Sequence, residues 1–243
     1  MSAGPPGRTA PNWDAIPPEL AQRPQWLLWR YEAKEGQDKP LKVPYWSTGA
    51  RRAGTQGGNH DRENLVSLAE ARRVYELGGF SGVGFAFLPG DGLIGIDIDG
   101  AIDPNTGEVS ELLQAIITSV GSYTEYSPSG KGAHIIALGE TRTNKDNGIG
   151  LEIFAGRQYF TFTGHHWAGT PRTVGPIADQ VLKRLHDTVD AAKARRKQAP
   201  GVVAAATGAA ELRTRVESAL ESLNPDIGYN DWIAIGWALR EAF

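Results

Sequence analysis

Gly82-Val-Gly-Phe-Ala-Phe87 and Leu93-Ile-Gly-Ile-Asp-Ile-Asp99, separated by Pro89-Gly-Asp-Gly92, decide how this chain folds. Both runs are short and apolar, and the Pro/Gly/Asp cluster between them is turn chemistry. They read as consecutive strands. In the second, alternation puts Ile96 and Ile98 on one face and Asp97 and Asp99 on the other. The Ile pair anchors the strand in a core, and the Asp pair is left side by side.

Working outward, more strands follow the same pattern. Gln25-Trp-Leu-Leu-Trp-Arg30 is short, aromatic and apolar, and Val43-Pro-Tyr-Trp46 reads as an edge strand because Pro44 cannot donate to a ladder. Residues 122–126, 133–138, 151–154 and 159–163 read as further strands. Ser67-Leu-Ala-Glu70 has capping-box spacing and opens a helix that stops at Gly78-Gly79. Residues 110–118 read as a short helix and 177–197 as a long amphipathic one. The expected fold is α+β, a mixed β-sheet with flanking helices. It is preceded by a flexible lead-in over residues 1–12 and occupies residues 13–197. A small, nearly uncharged linker is expected at 198–208. Helices are expected over 209–243, the last opening at Asn230 or Asp231. The apolar pattern is still running at Phe243, as in the front end of a longer protein.

Composition narrows the chemistry. The 243 residues include no cysteine, so disulfides and thiolate metal sites are excluded, and any metal must sit on Asp, Glu or His. No apolar run approaches the roughly 20 residues that span a membrane, and the start lacks a signal-peptide pattern, so no membrane partner and a cytoplasmic location are expected. A net charge of −3 argues against a passive nucleic-acid coat but not against an enzyme with a local basic groove. Basic residues do cluster, at Lys39, Lys42, Arg51 and Arg52 and again across 183–197.

Three stretches carry chemistry. Asp97 and Asp99 repel each other unless a cation sits between them, and a hard ion such as Mg²⁺ or Mn²⁺ takes such oxygen ligands. The alternative is a strand end with turn-favouring Asp residues. Ser127-Pro-Ser-Gly-Lys-Gly-Ala-His134 is a compact turn entering a strand. Its amides, the Ser127 and Ser129 hydroxyls and Lys131 could hold phosphate oxygens, with His134 at the strand mouth. It lacks the Gly-Lys-Ser/Thr order of a Walker loop, and a glycine-rich turn is often only a turn. In Gly150-Leu-Glu-Ile-Phe154, alternation sets Glu152 opposite Leu151 and Ile153. A carboxylate in so apolar a strand needs a partner, either a metal shared with Asp97 and Asp99 or a salt bridge such as one to Arg157. His165 and His166 are adjacent and so point oppositely on a strand, which speaks against both binding one ion.

Asp-x-Asp, then a Gly/Ser turn ending in His, then a strand-borne Glu resembles the three-motif layout of the archaeo-eukaryotic primase superfamily. More closely, residues 13–190 resemble the bifunctional primase-polymerase domains at the N-termini of phage and plasmid replication proteins. Linking text such as Ser122-Tyr-Thr-Glu-Tyr-Ser-Pro-Ser-Gly130 and Tyr159-Phe-Thr-Phe-Thr-Gly164 supports this. One departure is Gly132, where many members carry Ser. The resemblance implies an RNA-recognition-motif-like palm and template-directed nucleotidyl transfer in phage, plasmid or mobile-element replication. It implies Mg²⁺ or Mn²⁺ on Asp97, Asp99 and Glu152, and a triphosphate held by His134, Lys131 and the Ser127–Ser129 turn. Lys39, Lys42 and Arg157 are further phosphate candidates, and Tyr159 is placed to pack on the nucleotide sugar. The implied partners are a single-stranded or primed template, nucleoside triphosphates and a replicative helicase domain or protein; residues 209–243 look like the start of a helical primase C-terminal domain. The competing readings are a two-metal phosphodiesterase or nuclease, and a catalytically inactive replication-origin DNA-binding module.

Overall fold

The computed structural model describes residues 10–36 and 40–198. Lys39, the lead-in before Ala10, the linker beyond Gln198 and the expected helices at 209–243 lie outside the described residues. By its internal contacts the chain divides after Lys193, and the fold below is that of the part before the division.

The α+β plan stands, built as two sheets. The first has the order β2-β1-β3-β9, from β1 (Trp26–Glu32), β2 (Leu41–Tyr45), β3 (Gly82–Phe87) and β9 (Gln158–Phe162). The second has the order β5-β6-β4-β8-β7, from β4 (Leu93–Ile98), β5 (Thr124–Tyr126), β6 (Ala133–Leu138), β7 (Asn144–Asp146) and β8 (Leu151–Phe154). Every pairing between these strands is antiparallel. Pro44 does sit on an edge strand, where its missing N–H costs no ladder bond. The polar β7 is also an edge, which is why its Asn-Lys-Asp sequence carries no strand pattern.

The helices α1 (Pro18–Ala21), α2 (Asn59–Asn64), α3 (Leu68–Glu76), α4 (Glu111–Val120) and α5 (Asp179–Gln198) complete the described fold, after a short 3₁₀ turn at Trp13–Ala15. Ser67 caps α3 by accepting from the Glu70 amide at 3.3 Å, as the capping-box spacing predicts. Ser110 caps α4 in the same way, and Gly121 ends it in the left-handed conformation. The short α2 is polar throughout and gives no apolar period to read. Among the described residues no helix is long and apolar enough to cross a membrane.

Alternation divides the core into two layers. Ile94, Ile96, Ile98, Ile135, Leu151 and Ile153 form one face of the second sheet, covered by Leu113, Ile116 and Ile117 of α4 and Val181, Leu185 and Val189 of α5. The other face of that sheet, with Leu93, Ile136 and Phe154, packs on Phe85, Phe87 and Phe160 of the first sheet. Gly95 allows this close approach: a Cβ there would stand 2.8 Å from the ring carbons of both Phe87 and Phe160. The run β4-α4-β5-β6 is a β-α-β-β unit with β4 central, the first half of a split βαβ layout.

Candidate active site

The strand register brings the predicted residues into one row. Asp97 of β4 stands opposite His134 of β6 on one side and Glu152 of β8 on the other. The row extends outward to Glu125 of β5, paired with His134, and to Lys145 of β7, paired with Glu152. Directly opposed residues share a face, so all five side chains project to the side that meets the first sheet. Asp99 lies just past the end of β4 and is exposed. Its amide still donates to the Gly150 carbonyl at 2.8 Å, which carries the ladder one residue beyond the strand.

Two glycines press on that end of β4. A Cβ on Gly132 would stand 2.1 Å from the Ile98 carbonyl oxygen, and one on Gly150 would stand 2.4 Å from that of Asp99. A side chain at position 132 would therefore force the turn or the strand end to move. The close approach at Gly132 sets the Ser127–Lys131 turn against the Ile98–Asp99 end of the row. Within the turn, the Ser127 and Ser129 hydroxyls lie 3.1 Å apart and the Lys131 amide donates to Ser129 at 3.2 Å. Ser127 is buried, and the Lys131 side chain is exposed.

The electrostatics follow from crowding. Burial pushes the Asp97 carboxyl up to about 6, opposed by His134 and Lys42 and aided by Asp99 and Glu152. Burial also raises Glu152, with Lys145 pulling down and Asp99 pushing up. Asp97 Oδ1 is buried without a hydrogen-bond partner, 3.7 Å from His134 Nε2. Asp97 and Glu152, both raised and both near Asp99, with an orphaned oxygen on Asp97, suit a hard divalent cation. Among the described residues no group of three His, Asp or Glu side chains is already gathered as a metal centre.

The remaining predicted residues are spread out. Lys42 is exposed on β2, and its influence on Asp97 places it within electrostatic reach of the row. Tyr159 donates to the Lys42 carbonyl at 2.6 Å and packs with Leu27, Leu65, Ala86 and Leu88. By alternation this is the face of the first sheet opposite Phe160. Arg157 is exposed in the β8–β9 turn beside Gly156, where a Cβ would stand 2.8 Å from the Pro89 nitrogen. It stands at the far end of β8 from Glu152 and forms no ion pair with it; Lys145 is the cation that faces Glu152. Arg52 is not free for phosphate either, because it pairs in the interior with Asp61 at 2.6 Å. His165 and His166 direct Nε2 to the carbonyls of Ala10 and Pro171, outside the row.

The sequence reading missed two contributors, Glu125 and Phe160. Glu125 is fully buried with its carboxylate 3.1 Å from His134 Nδ1, and the Phe160 ring stacks on the His134 ring at 4.4 Å. Glu125 lies in the quoted Ser-Tyr-Thr-Glu-Tyr text, but only the register shows that it faces His134.

No family model matches the chain. The chain is 28% identical over 156 residues to a DNA primase-polymerase of Nitratiruptor phage NrS-1. The alignment covers 62% of this chain and 20% of that protein, so the chain matches about a fifth of its relative's length. This chain, with its carboxylate–histidine row, is therefore a distant relative of a phage DNA primase-polymerase.

Proposed function

We propose that this chain carries the catalytic centre of a template-directed nucleotidyltransferase, a primase, a polymerase or both, acting with Mg²⁺ or Mn²⁺. The observation that carries the reading is the row His134–Asp97–Glu152, one residue from each of three adjacent strands, with Asp99 at its end and an orphaned Asp97 oxygen within it. The similarity to the phage protein supports the same reading.

Asp97, Asp99 and Glu152 would hold the cations. Bound there, such ions supply charge neutralisation at a triphosphate and a lowered pKa for an attacking 3′-hydroxyl. His134 directs Nε2 toward the cleft, where in the imidazolium form it donates to a phosphate oxygen while Nδ1 is held by Glu125. The turn entering β6 adds backbone amides and the exposed Lys131, and Lys42 adds positive potential from the first sheet. The reaction is an in-line displacement in which the 3′-oxygen attacks the α-phosphate and pyrophosphate leaves. Template affinity would be mainly electrostatic and would weaken with salt.

The test is incubation with single-stranded template, labelled nucleotides and Mn²⁺, with and without primer. Strand products with stoichiometric pyrophosphate are expected. Shortening of the template without pyrophosphate would indicate hydrolysis by the same carboxylates. Metal-independent template binding with neither product would indicate a binding module and overturn the reading.

A further inference from the structure

We infer that Glu125 is the positioning residue of this site, holding a proton on His134 Nδ1 and aiming Nε2 at the cleft. Glu125 is fully buried and stands beside His134 in the strand register. Its carboxylate accepts from the Thr163 amide at 3.0 and 3.2 Å, from the Gly164 amide at 2.7 Å and from the Tyr123 hydroxyl at 3.3 Å. Backbone amides can only donate, and both oxygens accept from them, an arrangement that suits the carboxylate form. The nitrogen 3.1 Å from Oε1, His134 Nδ1, must then be the donor. That leaves Nε2 on the other side of the ring, toward Asp97. Phe160, stacked on the imidazole with only 14° between the ring planes, removes the remaining freedom of rotation.

A purely structural role for Glu125 accounts for only part of this arrangement. A neutral amide oxygen would satisfy the Thr163 and Gly164 amides. A buried charge is costly, and toward the ring it makes a charge-assisted bond that holds the proton on Nδ1. The sequence does not distinguish Glu125 from any other strand Glu; the contact arises because β5 and β6 pair in this register.

The kinetic part of the test rests on the proposed nucleotidyl transfer, and the spectroscopic part does not. Glu125→Gln should raise the nucleotide KM about tenfold, the loss of one charge-assisted bond, with a smaller change in kcat. Glu125→Gln combined with His134→Ala should be no worse than His134→Ala alone, since both changes remove the same function. A summed loss in the double variant would overturn the proposal. Independently of any activity, ¹⁵N-histidine NMR of the wild-type protein should show His134 protonated at Nδ1, and Glu125→Gln should lose that single form. A wild-type His134 with bare Nδ1 overturns the proposal even where the variants do not fold. A protein that makes no strands but shows the bonded Nδ1–H would sink the polymerase reading and keep this one.

Discussion

At the scale of the residue, Asp97 stands at the centre of the row, between His134 and Glu152. Its carboxyl titrates near 6 in the folded protein against about 3.9 in an unfolded chain. Between those values the folded state holds a proton that the unfolded state has lost, so stability falls as pH rises through the window and is fully lowered above it. Metal-free protein should therefore melt higher at pH 5 than at pH 7. The difference attributable to Asp97 is on the order of 1–3 kcal/mol, with Glu152 acting in the same direction. Asp97→Asn should flatten the profile, and thermal melts across pH for the two proteins make the comparison; equal slopes would remove Asp97 as the cause. The same variant should abolish strand synthesis while leaving the fold intact, as should Asp99→Asn. Normal incorporation by both would reject the metal-ligand assignment.

At the scale of the element, the end of β4 is held between two glycines. Gly132→Ala puts a methyl group 2.1 Å from the Ile98 carbonyl oxygen, so either the turn or the strand end must move. We expect a loss of about 1–3 kcal/mol in urea unfolding, with synthesis falling as Asp99 is displaced. Unchanged stability would mean that the turn shifts freely and does not hold the site. Much at this scale was legible in the sequence. The capping box of α3, the edge position of Pro44 and the alternation that faces Asp97 toward the cleft follow from local rules. Arg157 was not legible, because its distance from Glu152 depends on how far the β8–β9 turn carries the chain. The short α2 and β7 were not legible either, since polar edge elements bury too little to leave a pattern.

At the scale of the whole molecule, the segment between β2 and α3 is secured by a buried ion pair. Arg52 and Asp61 form a buried bidentate pair at 2.7 and 2.6 Å, joined by the Gly57 amide and the Trp46 indole. Burial pushes the Asp61 carboxyl up, but the Arg52 and Gly57 donors outweigh it and hold it below the ordinary range. Asp61→Ala strands the Arg52 charge in the interior and should cost about 3–5 kcal/mol, measured by chemical unfolding. A loss under about 1 kcal/mol would show that water reaches Arg52. The described core residues all lie between Ala15 and Val189. A fragment of residues 1–198 should therefore fold cooperatively by circular dichroism and melting. A fragment that fails to fold would show that residues beyond 198 supply core contacts.

The sequence by itself determined the strands, the side each residue of β4 presents, and the presence of acidic, basic and glycine-rich motifs in a meaningful order. Those are local properties, set by side-chain alternation and by turn chemistry within a few residues. Only the tertiary structure decided which motifs meet. It set Asp97 between His134 and Glu152, placed Glu125 behind His134, moved Arg157 to the far end of β8 and joined the Tyr159 hydroxyl to the Lys42 carbonyl. Strand pairing joins residues tens of positions apart, and a one-residue slip would turn every side chain of the row to the other face. The register is settled by burying the Ile rows of β4, β6 and β8 under α4 and α5, a global balance that no single stretch of the sequence contains.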